Sequence, residues 1–308
     1  MGTMVTIEAM GADHEAAVDR AFEWFHRVEE TCTRFDPRSE LCRLTLQPGV
    51  AVAVSRLLFE AVRFALGVAE ASDGAFDPTV GATLQQRGFD REHRTGGPVP
   101  AMVDAAHDIT FRDVAVDEAA QTITLARPLL LDLGAIAKGL AVDLAARELA
   151  PLRDFAIDAG GDLYLGGTNH DGQPWSIGIR HPRQPGECIS AVRVSNQAVC
   201  TSGDYERRIP ASLTGFAPRP DDPPDVLRTD GHSDAGHHIV DPRTGRSQHE
   251  MASVTVVAAS AMLADALATT AFVLGPDEAV PWLERMDVDG LVVTTTLETR
   301  CTSGWPRA

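Results

Sequence analysis

Asp265 and Thr269 lie four residues apart in ADALATTAFVLG, residues 264–275. In a helix, positions i and i+4 share one face, so a carboxylate and a hydroxyl project side by side from an otherwise apolar segment. Burying a carboxylate is costly unless it is paired or bound to a metal. A hard cation such as Mg²⁺ suits this pair, because it takes oxygen ligands and commonly shares them with substrate phosphates. Taken alone, the segment more readily reads as Asp265 capping a neighbouring loop or pairing with an arginine, since lone polar residues in helices are common.

Four further segments could carry chemistry. Residues 131–139 (LDLGAIAKG) read as a strand, a tight turn and a helix start. Amides at a helix N-terminus favour phosphate, and Lys138 adds a positive charge. The stretch lacks the spacing of a P-loop and is also compatible with an ordinary turn carrying a surface lysine. Residues 237–245 (HHIVDPRTG) place two histidines before an Asp-Pro turn. A histidine there could act as a base or a phosphate contact, or simply hydrogen-bond its own loop. In residues 74–81 (GAFDPTVG), Phe76 could stack on a flat ring and Asp77 could accept from ring or ribose donors; the same residues also make a plain Asp-Pro turn. AGGD at 159–162 and TSGDY at 201–205 are turns after strands that either line a cleft or merely reverse the chain. There is no G-x-S-x-G, H-E-x-x-H or G-x-G-x-x-G, which removes the main support for hydrolase, zinc-protease and dinucleotide-fold readings.

The elements that must position these residues follow from periodicity. Residues 4–8 alternate as a strand, and 13–31 repeat Ala17, Phe22 and Phe25 at helical intervals. Ser55 caps a helix through Ala71 whose stripe is Leu58, Val62, Ala65 and Val68. Residues 87–100 read as a surface loop and 102–106 as a short helix. Strands are expected at 108–111, 115–117, 122–125 and 129–133, then a helix at 137–149. Further strands are expected at 155–158, 175–180, 190–194, 199–202, 238–240, 253–257 and 290–295. Helices are expected at 261–274, stopped by Gly275-Pro276, and at 279–285. Residues 210–233, rich in Pro, Asp and Gly, read as a surface insertion. Strands and helices mix without a βαβ rhythm, so the expected class is α+β.

Composition narrows the partners. The 308 residues are 44% hydrophobic and 23% charged, an ordinary globular mixture, with a net charge of −17. Nonspecific binding to nucleic acid or to anionic membranes needs a basic surface, so both are excluded as expected partners. The five cysteines are scattered, without a C-x-x-C pair, and read as reduced. No basic or apolar leader opens the sequence and no run of about 20 apolar residues occurs. The expectation is a cytoplasmic protein as written, or a periplasmic or membrane-anchored one if an export segment precedes Met1.

Taken together, the segments have a specific order. MGT at 1–3, RFDPRSELCRL at 34–44, GAFDPTVG, LDLGAIAKGLAVD, DAGGDLYLGG at 158–167, CTSGDYER at 200–207, HHIVDPRTG and the stretch 253–275 succeed one another along nearly the whole chain. In this the sequence resembles the ApbE family, the FAD:protein FMN transferases. The resemblance implies one T-fold-like α+β domain over 1–308, with mixed or antiparallel sheets and two joined subdomains around an FAD cleft. It implies Mg²⁺ held by the main-chain oxygen of Ala135 and the side chains of Asp265 and Thr269. It implies FAD contacts at Met1, Ala75, Phe76, Asp77, Asp132, Lys138 and Val240. The implied reaction moves FMN from FAD to a Thr or Ser hydroxyl of an acceptor flavoprotein and releases AMP, with Lys138 and Asp265 assisting and His238 as the candidate proton acceptor. Two alternatives use the same cleft: a Mg²⁺-dependent FAD pyrophosphatase yielding FMN and AMP, and an FAD-binding protein without turnover.

Overall fold

The computed structural model describes residues 2–11, 14–91, 96–97, 99, 103, 108–206 and 236–308. The first half runs β1 (Val5–Ala9), α1 (Glu15–Cys32), α2 (Glu40–Thr45), β2 (Ala51–Ala53), α3 (Arg56–Ala71), α4 (Gly81–Gln86), β3 (Val114–Asp117), β4 (Thr122–Leu125) and α5 (Gly134–Leu149). The second half runs β5 (Phe155–Ala159), β6 (Asp162–Gly166), β7 (Trp175–Arg180), β8 (Cys188–Val194), β9 (Gln197–Gly203), β10 (Val240–Asp241), β11 (Arg246–Ser247), β12 (Met251–Ala258), α6 (Ala261–Leu274), α7 (Ala279–Arg285), β13 (Asp289–Thr294) and β14 (Thr299–Cys301). The class is α+β, as the mixed rhythm implies.

Seven strands form one sheet in the order β1-β5-β6-β9-β12-β13-β14, every neighbouring pair antiparallel. Side chains alternate between its faces. Ile157, Ala198, Cys200, Val254 and Val256 meet α1, α5 and α6 in the main core. Leu165, Val199, Val257 and Val293 face the β7–β8 hairpin with Trp175, Val192 and Trp305. With both faces covered, β12 is buried at every residue, which explains its nearly continuous apolar run. A bulge between Met251 and Ser253 shifts its parity at the start. A smaller sheet, β2-β4-β3, packs its apolar positions into the same main core.

The helices begin where local chemistry starts them. Ser55 caps α3, its Oγ accepting from Leu58 N–H at 3.2 Å, and its own N–H and hydroxyl each donate to Glu40 at 2.6 Å. Ser260 caps α6, and a second residue holds the same helix end. Asp143 of α5 accepts from Ser260 Oγ at 2.6 Å, Ala261 N–H at 2.7 Å and Met262 N–H at 3.0 Å. A carboxylate here also complements the helix dipole. Asp143→Ala leaves these donors without an acceptor and is expected to cost about 2–3 kcal/mol. Thermal unfolding followed by circular dichroism is expected to shift down by about 5 °C or more; an unchanged midpoint contradicts this role.

Two strand expectations are corrected. Residues 129–133 form no strand: their backbone bonds go to the turn at 78–81, through Asp132 N–H to Pro78 O at 2.7 Å and Gly81 N–H to Leu130 O at 3.1 Å. Residues 108–111 form no strand either; Phe111–Asp113 is a 3₁₀ turn closed by a Thr110–Asp113 capping box. The short helix read at 102–106 and the insertion at 210–233 lie outside the described residues, apart from Val103. All five cysteines are free. Among the described residues no helix is long and apolar enough to cross a membrane.

Candidate active site

The hydrogen bonds between residues 78–81 and 130–132 bring GAFDPTVG and LDLGAIAKG together. Gly81 is needed at this join, since a methyl there would lie 2.8 Å from Leu130 Cγ. Asp77 is buried, and both of its oxygens are engaged. Oδ1 accepts from Thr79 N–H at 2.8 Å and Thr79 Oγ1 at 2.7 Å, and Oδ2 accepts from Phe111 N–H at 2.8 Å. Burial raises its pKa, and those bonds oppose the rise. Ala75 and Phe76 are buried beside it.

Asp132 enters the N-terminus of α5. Its Oδ1 accepts from Gly134 N–H at 2.7 Å, and its Oδ2 accepts from the buried Arg34 Nε at 2.5 Å. Arg34 also donates to Phe89 O at 2.8 Å. The RFDP segment is thereby tied to the start of α5. Gly134, Ala135, Ala137 and Lys138 leave this helix end partly open to solvent, while the Gly134 amide donates to Asp132 and the Ile136 and Ala137 amides donate to the Leu133 carbonyl.

One turn into α5 stands the densest charge in the site. The Lys138 ammonium bonds Asp162 and, at 3.1 Å, Asp265. Asp162 opens β6, and its register partner on β9 is Cys200. The side chains of Asp162 and Asp265 are only 3% and 5% exposed, so with all three groups ionised the cluster would carry one buried negative charge in excess. Burial pushes the Asp265 carboxyl well above its ordinary range, and nearby Asp162 adds to this while Lys138 opposes it. Burial alone would lower the Lys138 pKa, but the two carboxylates outweigh it and hold the ammonium above its usual value. Thr269, one turn past Asp265, lies half-buried with its Oγ1 3.0 Å from Ser202 Oγ on β9. Burial pushes the Cys200 thiol up.

Helices α5 and α6 approach closely here. A methyl on Gly139 would lie 2.6 Å from Met262 Cα and overlap the Ala261 carbonyl. This approach seats Lys138 against Asp265.

The two histidines divide. His237 is buried and structural: its Nδ1 accepts from Ile239 N–H at 3.2 Å and its Nε2 lies 2.7 Å from Gln248 O. Burial lowers its pKa. His238 is half-buried, edge-on to Phe89 with ring centroids 6.3 Å apart. Arg87 fastens the loop by donating to Gly245 O at 2.8 Å and Ser247 Oγ at 3.0 Å. Val240 is buried at the start of the β10–β11 ribbon.

The structure thus brings Lys138 and Asp265 into direct contact and sets Thr269 beside Ser202. Met1 lies outside the described residues. Asp162 lies in the AGGD turn read as lining a cleft or reversing the chain, with no role of its own, and Arg34 lies in the RFDP segment that carries the resemblance.

The donor set fits Mg²⁺. Asp265, Thr269 and the Ala135 carbonyl offer hard oxygens of the kind such a cation takes, and Lys138 now fills the place beside Asp265 that it would occupy. Among the described residues no group of three or more His, Cys, Asp or Glu side chains could hold a metal ion, so any cation here would lean on neutral oxygens and on substrate phosphate.

The architecture, an antiparallel sheet clad by helices on one face and a hairpin on the other, is that of solved ApbE proteins. The ApbE protein from Thermotoga maritima matches with a TM-score of 0.82 at 28% identity, over 100% of this chain and 97% of that one. The flavin transferase ApbE from Vibrio cholerae matches with a TM-score of 0.79 at 26% identity, over 98% and 94%. In sequence, the FAD:protein FMN transferase of Treponema pallidum is 33% identical over 316 residues, spanning 95% of this chain and 81% of its own length. The ApbE family pattern matches residues 1–292, and the chain belongs to the ApbE family.

Proposed function

We propose that this chain is a Mg²⁺-dependent FAD:protein FMN transferase. It takes FMN from FAD, passes it to a Thr or Ser hydroxyl of an acceptor flavoprotein and releases AMP. Family membership supports the flavin chemistry. The observation that carries the site assignment is the buried Lys138–Asp162–Asp265 cluster at an open helix N-terminus, with Thr269 one turn away.

The proposed division of labour follows from these groups. The partly open start of α5 and the Lys138 ammonium bind the diphosphate of FAD. Ala75, Phe76, Asp77, Asp132 and Val240 border the flavin and ribose. Asp265, Thr269 and the Ala135 carbonyl hold Mg²⁺, which when bound neutralises charge on the diphosphate and on the departing AMP. His238 accepts the proton of the acceptor hydroxyl. A bond forms between that oxygen and the FMN phosphorus, and the bond from this phosphorus to the bridging oxygen breaks. AMP leaves with the electron pair.

The test is incubation with FAD and Mg²⁺, with and without a candidate acceptor flavoprotein. Flavin fluorescence on the denatured acceptor together with AMP is the expected result. AMP without an acceptor points to the pyrophosphatase, and neither product points to a carrier; each of these contradicts the transferase. A second expectation concerns Lys138→Ala, which is expected to weaken FAD binding or turnover at least about tenfold. Unchanged FAD titration and rate would make Lys138 a bystander.

A further inference from the structure

Asp162 has no part in the division of labour above, yet it is a buried carboxylate bonded to the Lys138 ammonium. It comes from β6, whereas Asp265 comes from α6. An ammonium has three donors, and here two of them face carboxylates on different elements. We infer that Asp162 is a positioning residue: it retains Lys138 when a divalent cation takes Asp265, so that the lysine exchanges Asp265 for substrate phosphate without losing its counter-charge. This inference rests on the cation reading of Asp265.

Charge accounting motivates it. With all three ionised the groups sum to −1, and one divalent cation brings the sum to +1. A cation and an ammonium on one carboxylate repel each other, so Lys138 must give up Asp265. With Asp162 beneath it, the ammonium keeps a buried partner during that exchange. Without Asp162, every cation that binds strands a lysine whose side chain is only 25% exposed, and an unpaired buried charge is costly. Lys138 therefore occupies the cation's ligand in the free protein, and Asp162 makes it displaceable. The lysine side chain keeps a quarter of its surface exposed, and a diphosphate bound at the start of α5 would provide its next partner.

The test is a double-mutant cycle read by cation binding alone. Mn²⁺ is titrated into wild type, Asp162→Asn, Lys138→Gln and the double variant, with free Mn²⁺ measured by electron paramagnetic resonance. No FAD or acceptor is present, and the titrations are repeated with ADP. Asp162→Asn is expected to weaken Mn²⁺ binding roughly thirtyfold when Lys138 is present and less than about threefold when it is Gln. Equal weakening in both backgrounds would mean that Asp162 acts only as a distant negative charge, and would overturn the inference. Circular dichroism checks each fold. Should Asp162→Asn not fold, Lys138→Gln alone decides the matter. It is expected to tighten Mn²⁺ at least about tenfold without nucleotide, by removing the competitor, and unchanged or weaker binding overturns the inference. A wild-type protein that binds no Mn²⁺ with or without ADP contradicts the cation reading itself, whereas binding with additive effects leaves that reading standing and removes only the role of Asp162.

Discussion

Asp265→Ala is expected to lower Mg²⁺-dependent turnover by roughly a thousandfold while leaving the protein folded. The two halves of this expectation have different causes. Turnover falls because the substitution removes the charged protein ligand and leaves Thr269 and a main-chain carbonyl, which are weak ligands alone. The fold survives because the Lys138–Asp162 pair remains. Three buried groups, summing to −1 with all ionised, become a neutral pair, and the carboxyl whose pKa burial raises is gone. Removing one partner of a buried ion pair is costly when it strands the other charge, and here Lys138 keeps Asp162. The thermal midpoint is therefore expected within about 2 °C of wild type, or above it. Full activity in this variant would remove the metal assignment; unfolding would show that Asp265 serves the core.

Gly139→Ala is the second large effect, and here stability and activity fall together. The added methyl meets the backbone of α6 at Ala261 and Met262, which cannot rotate aside as a side chain can. Forcing the helices apart is expected to cost about 3 kcal/mol. It also draws Lys138 away from Asp265 and strains the Asp143 cap on α6. Gly67 provides the internal control. It lies within α3, and a methyl there meets nothing within 4 Å, so Gly67→Ala is expected to stabilise by about 0.5–1 kcal/mol. Urea titration of both variants measures the contrast. Equal stability of the two would show that α5 and α6 tolerate separation.

Most of the framework was legible because it is written in local patterns. The Ser55 cap, the apolar helix ending at Gly275 and the alternating strands each carry their own signal. The misses were non-local or short. Residues 129–133 have the apolar run of a strand, but their backbone partners are in the turn at 78–81, some fifty positions earlier. The short helices α2 and α4 span six residues each, too few for a periodicity to register. Strand β6 was hidden by the preceding Gly160-Gly161 turn. The placement of Asp265 and Thr269 one turn apart on a single helix was readable from their spacing. Asp162 was not, because a carboxylate just after a Gly-Gly turn looks like any turn residue. Its importance comes from a lysine 24 residues earlier and an aspartate on α6. The distinction between His237 and His238 likewise needed the backbone partners of His237.

The central claim is tested most directly by an X-ray structure of the protein soaked with FAD and Mn²⁺, with anomalous scattering used to find the metal. The account predicts an anomalous peak bonded to the Asp265 carboxylate and Thr269 Oγ1, sharing diphosphate oxygens of FAD. An Asp265 still bonded to Lys138, with no anomalous peak beside it while FAD occupies the cleft, would contradict it.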